Sequence, residues 1–137
     1  MEFASDNTSG TAPEILAAVT AVNAGYAPSY GADPLMADVT ARIRTLFEAP
    51  KAAVYLVATG TAANALSAAI LCPQWGAIYC HAAAHVEVDE CGAPEFFIGG
   101  GKTAPIDGVH GKITPGALAA RLNGAPNGDV HHTQHGM

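Results

Sequence analysis

Lysine and arginine are scarce. Six of them stand against twelve Asp and Glu in 137 residues, a formal net charge of −6. A chain with so little positive charge has no basic patch to neutralise phosphates, which excludes nucleic-acid binding and attachment to an anionic membrane surface. Long hydrophobic runs are absent too: no stretch of about 18 uninterrupted apolar residues occurs, so no transmembrane helix is expected. The start, Met1-Glu2-Phe3-Ala4-Ser5-Asp6, has neither a basic region nor an apolar stretch of signal-peptide length. A cytoplasmic location is the expectation. Cys72, Cys80 and Cys91 are odd in number and lack CxxC spacing, so they read as free thiols rather than a disulfide framework. The GxxxxGKS/T, GxGxxG and HExxH patterns are also missing, which excludes a P-loop, a dinucleotide fingerprint and that zinc-protease motif.

What is present is apolar. Half of the residues are hydrophobic, enough for the packed core of one ordinary domain. Pro13 opens a helix running to about Asn23, with Ile15, Val19 and Val22 on one face and Thr11 as the expected cap. Gly25 ends it. Asp33-Pro34 starts a second helix, in which Leu35, Val39, Ile43 and Leu46 recur at helical spacing until Pro50. Short apolar strands are expected at 53–57, 77–80 and 103–106, with a fourth beginning near Asp129-Val130-His131-His132. Helices are expected over 61–71 and from Thr114-Pro115 to about Leu122, with a short one within 84–92. Alternating strands and helices point to an α/β fold around a mostly parallel sheet.

Two stretches carry candidate chemistry. Thr59-Gly60-Thr61 follows an apolar run and precedes an Ala-rich helix. Free backbone N–H groups at a helix start, with about half a positive charge from the helix dipole, suit a phosphate. Gly60 would let the backbone approach, and the Thr61 hydroxyl would add a donor. The alternative is a plain strand-to-helix turn. The second stretch, from Tyr79 to Gly92, lies at the carboxyl end of a strand, where ligands bind in open α/β sheets. His85 could stack on a flat ring and Glu90 could handle a proton. His81 and His85, four apart with Glu87 and Glu90 nearby, also permit a metal reading. No second cluster with metal spacing supports it, and no metal site is assigned. A non-catalytic phosphate- or metal-binding module therefore stays open beside an enzyme.

Taken together, Ser5-Asp6-Asn7, Tyr30-Gly31-Ala32-Asp33, Thr59-Gly60-Thr61-Ala62-Ala63-Asn64 and His85 through Glu90-Cys91-Gly92-Ala93-Pro94-Glu95-Phe96-Phe97 resemble, in this order, the low-specificity L-threonine aldolase family. That family belongs to the β-eliminating lyase superfamily of fold type I pyridoxal-phosphate enzymes. The resemblance implies a helical segment over 1–50 and the first part of the cofactor-binding large domain over 51–137, its sheet incomplete. It also implies that Gly60 and Thr61 hold the cofactor phosphate. His85 would stack on the pyridine ring and take part in proton transfer at the substrate hydroxyl. Ser5 would meet the substrate carboxylate, Tyr30 would lie near the active site close to a subunit interface, and Glu90 would be a nearby catalytic residue. The reaction implied is cleavage of a β-hydroxy-α-amino acid to glycine and an aldehyde, in a dimer or tetramer of identical chains. Close alternatives are a β-eliminating lyase or a phenylserine-type aldolase.

One requirement is not met. The family's Schiff-base lysine and the Asp that pairs with the pyridine nitrogen lie in motifs that this sequence does not contain, and Lys51, Lys102 and Lys112 stand in other contexts. The expectation is an N-terminal fragment, inactive alone, with pyridoxal phosphate bound only in the complete protein. If 53–57 is the family's first strand, its partner is absent and the isolated chain is expected to be poorly soluble or partly folded.

Overall fold

A computed structural model describes residues 8–137. The chain forms two compact units, one ending at Val54 and the other spanning Tyr55–Met137.

The first unit carries helices α1, Pro13–Val22, and α2, Pro34–Leu46. Proline occupies the first turn of both, where its fixed φ suits the helix and its missing N–H costs nothing. The expected Thr11 cap does not form. Ala12 is the N-cap of α1 and offers no side-chain bond. Asp33 does cap α2, its Oδ1 accepting from Met36 N–H at 3.0 Å. The far end of α2 is tied down by Arg44, whose Nε donates to Ala52 O at 2.8 Å. Neither helix buries a residue, and Ile15, Leu16, Val19 and Val22 all lie open on α1.

The second unit runs α3 (Gly60–Leu71), β1 (Gly76–His81), α4 (His85–Val88), α5 (Ala93–Ile98) and β2 (Lys102–Ile106). A 3-10 turn follows at Val109–Gly111, then α6 (Pro115–Asn123) and β3 (Gln134–His135). The sheet is parallel throughout, in the order β2-β1-β3. Successive side chains of β1 face opposite ways. Ile78 packs with Ala68 and Cys72 of α3 and Ile98 of α5 in the buried core, whereas Tyr79 lines a hollow with Leu118 and Leu122 of α6. Helices thus cover both faces, as the βα pattern requires.

The α/β class and parallel sheet agree with the sequence reading. One strand does not. Residues 53–57 run without secondary structure or ladder partner, and Tyr55 and Leu56 are exposed. A strand exists only through pairing; both sides of β1 are taken by β2 and β3, and no described strand pairs with 53–57. The fourth strand arises later than expected, at Gln134–His135, where Gln134 N–H donates to Trp75 O at 2.9 Å. Helix α5 was not foreseen. It is bracketed by Gly92 and Gly99, both left-handed, with Pro94 in its first turn, which is the usual punctuation of a short helix.

Candidate functional site

Helix α3 begins as the sequence suggests, with the roles of the turn residues separated. Thr59 is the N-cap, and its hydroxyl is spent accepting from Ala62 N–H at 3.1 Å. Ala63 N–H goes to Thr59 O at 3.2 Å. The N–H groups of Gly60 and Thr61 take no partner among the described residues. A Cβ at Gly60 would meet nothing within 4 Å, so the approach to these two donors is clear. A phosphate fits this end of a three-turn helix: two free N–H groups and the positive end of the dipole lie there, and Thr61 adds a hydroxyl to the same turn.

The second half of the site is built by a tight turn. After α4, Ala93 N–H bonds back to Glu90 O at 2.9 Å. Both central residues have positive φ, 55° at Cys91 and 71° at Gly92. Left-handed backbone at a non-glycine residue is costly, and here it turns the Glu90 side chain inward. That side chain has no exposure, while the His85 side chain is 64% exposed. Glu90 Oε1 accepts from His85 Nδ1 at 2.8 Å and from Asn64 Nδ2, on α3, at 2.6 Å. Its Oε2 is buried without a partner. A carboxylate can only accept, so Nδ1 carries a proton, and in the neutral ring Nε2 is the acceptor nitrogen. This is the arrangement that prepares an imidazole as a base.

The structure therefore brings His85 and Glu90 together and adds Asn64, to which the sequence reading gave no role. The signal was available: Asn64 lies three residues after Thr61 and four after Gly60, on the same helical face. Other candidates fall elsewhere. Both ring nitrogens of His81 are occupied by backbone, Nδ1 accepting from Ala83 N–H and Nε2 donating to Gly108 O, each at 2.9 Å. That pair locks the turn after β1 to the turn after β2. Tyr30 belongs to the first unit, fully exposed and left-handed at φ 59°. Ser5 lies outside the described residues. Lys102 opens β2 at the amino edge of the sheet, opposite the carboxyl edge from which the chain leads to His85.

A separate polar feature surrounds Cys80. Burial, and then the charges of Glu87 and Glu95, push its thiol above the ordinary range. Glu95 Oε1 accepts from Thr103 Oγ1 at 3.1 Å, and one oxygen each of Glu87 and Glu95 is buried without a partner. Among the described residues no group of three His, Cys, Asp or Glu is arranged to hold a metal ion. A hollow of about 590 Å³ lies beneath α6 against β3, lined by Tyr79, Leu118, Leu122 and Met137, and touches none of the site residues. No described helix is long and apolar enough to cross a membrane.

Comparison with known proteins points the same way as the geometry. The family model for beta-eliminating lyases matches residues 2–137. A low specificity L-threonine aldolase of Pseudomonas aeruginosa is 44% identical over 117 residues, covering 85% of this chain and 34% of the relative. A protein of the same name from another Pseudomonas is 40% identical over 131 residues, covering 96% of this chain and 37% of the relative. Among solved structures, a threonine aldolase of Leishmania major superposes with a TM-score of 0.79 at 26% identity, over 93% of this chain and 36% of that one. The chain thus spans about a third of the length of the relatives it matches.

Proposed function

This chain belongs to the beta-eliminating lyase family, and on that premise we propose that it forms the phosphate-and-histidine part of a pyridoxal-phosphate-dependent threonine aldolase. The observation that carries the reading is the buried Glu90 carboxyl on His85 Nδ1 at 2.8 Å. The free N–H pair at the start of α3 supports it.

Gly60 and Thr61 would bind the cofactor phosphate through their N–H groups and the Thr61 hydroxyl. His85 would present its ring to the cofactor ring. Bound pyridoxal phosphate supplies an electron sink for the charge released when the bond between the α- and β-carbons breaks. His85 Nε2 would take the proton from the β-hydroxyl of the amino-acid substrate, so that its C–O bond can become the carbonyl of the departing aldehyde. Glu90 would hold the ring in the tautomer that makes this possible. Ser5 would meet the substrate carboxylate and Tyr30 would stand near the site. The reading gives none of Lys51, Lys102 and Lys112 the role of anchoring the cofactor.

Titration of the chain with pyridoxal 5′-phosphate, followed by backbone amide NMR, tests the reading. The Gly60 and Thr61 amides should shift together with the His85 ring, and inorganic phosphate should move the amides alone. Amides that stay fixed at millimolar ligand would sink the proposal. The family's own description favours a second reading, elimination of a β-substituent. Product analysis of the complete enzyme separates the two: glycine and an aldehyde from cleavage, a keto acid and ammonia from elimination.

A further inference from the structure

We infer that Asn64 is a positioning residue, which registers the phosphate-binding end of α3 with the base by fixing the carboxyl group that orients His85. The inference rests on the reading above.

Glu90 is held by two bonds, and both reach the same oxygen. Asn64 Nδ2 lies 2.6 Å and His85 Nδ1 2.8 Å from Oε1, while Oε2 is buried and empty-handed. The last bond of a Glu side chain has only a broad torsional preference, so a single hydrogen bond leaves the plane of the carboxyl group loosely set. The His85 bond alone tolerates a range of such planes. The Asn64 bond narrows that range, because it comes from a separate, rigid element. That element is the helix whose first two N–H groups are free. Asn64 follows Gly60 by four residues, about 6 Å along the axis and on the same face. A phosphate bound at Gly60 and Thr61, and the imidazole that must meet the ring attached to it, are thus referenced to one helix through two hydrogen bonds. Side chains that hold the residue behind a reactive histidine tune it in this way.

The test is the tautomer of His85, read from ¹⁵N shifts of the imidazole nitrogens. Asn64→Ala removes the donor, and Asn64→Leu removes it at similar volume without adding a charge. His81 is the internal control, since its two nitrogens are held by Gly108 O and Ala83 N–H and owe nothing to Asn64. In the native chain His85 should show one tautomer, protonated on Nδ1. In either variant the ratio should fall several-fold toward a mixture while the His81 signals stay in place. A native His85 spectrum in either variant would overturn the inference. So would variants in which His81 and His85 change together, because Asn64 would then be holding the fold. Should Asn64→Ala unfold, Asn64→Leu decides alone. The phosphate titration is judged separately: immobile Gly60 and Thr61 amides refute the functional reading even when the tautomer result supports Asn64.

Discussion

Replacing Glu90 by leucine should leave the fold as stable as before, or make it more stable, while it frees His85. The reasoning is a balance of terms. Each hydrogen bond to a charged group is worth about 1.5–3 kcal/mol, so the two on Oε1 contribute about 3–6 kcal/mol. Against them stand the several kcal/mol that burying a carboxylate costs and about 1–3 kcal/mol for the unpartnered Oε2. The sum is close to zero. The partners are not stranded by the change, because the His85 side chain is 64% exposed and Asn64 lies at the surface. Both donors can turn to water. Leucine would also gain about 1.5–3 kcal/mol from burial. The expected change for E90L is therefore a gain of about 1.5–3 kcal/mol, where an inserted charge-free side chain at a purely structural ion pair would cost about 3–5 kcal/mol if a partner were left buried. For comparison, Ile98→Ala, deep in the core, should cost about 2–5 kcal/mol. Exchange of the slow β1 amides, which reports the opening energy of the second unit, measures all three proteins. A loss above about 2 kcal/mol in E90L would refute the reasoning and make Glu90 a structural residue.

The same exchange experiment should show the α1 and α2 amides fast and those of β1 and α3 slow, because neither of the first two helices buries a residue; uniform protection across the chain would contradict this. Gly108→Ala would press a Cβ into Lys112 O and set it 3.3 Å from the His81 ring, so a loss of at least about 2 kcal/mol and the release of His81 Nε2 are expected in denaturation and ¹⁵N NMR. Burial raises the Cys72 and Cys80 thiols, and at Cys80 the carboxylates Glu87 and Glu95 add to it. A group whose folded pKa is raised stabilises fully below its unfolded value and loses that contribution as pH rises through the folded one. Stability should thus decline above the ordinary thiol value of 9.0, less steeply in Cys80→Ala. Alkylation near neutral pH should reach the exposed Cys91 first; equal rates at all three would contradict the assignment.

Local chemistry wrote much of this molecule into the sequence. Pro13, Asp33-Pro34 and Thr114-Pro115 start helices where a fixed φ or an oxygen cap is needed, and those helices are found. Thr59-Gly60-Thr61 marks a helix end with free donors, because the four leading N–H groups of any helix lack internal partners. Pairing is different. The apolar run at 53–57 has the composition of a strand, but its state depends on whether another strand reaches it, and among the described residues none does. Nor does the sequence say that His81 is consumed by Gly108 and Ala83 while His85, four residues on, is held by one nitrogen and free at the other. The two residues are of one kind, in one stretch. Only the packing of α3 against the turn after α4 brings Asn64, Glu90 and His85 to a single oxygen, since that meeting joins residues 26 apart in the chain. Periodicity and capping act over one or two helical turns and are legible one stretch at a time. Tautomer, burial and partner are properties of the folded chain, and tertiary structure decided them.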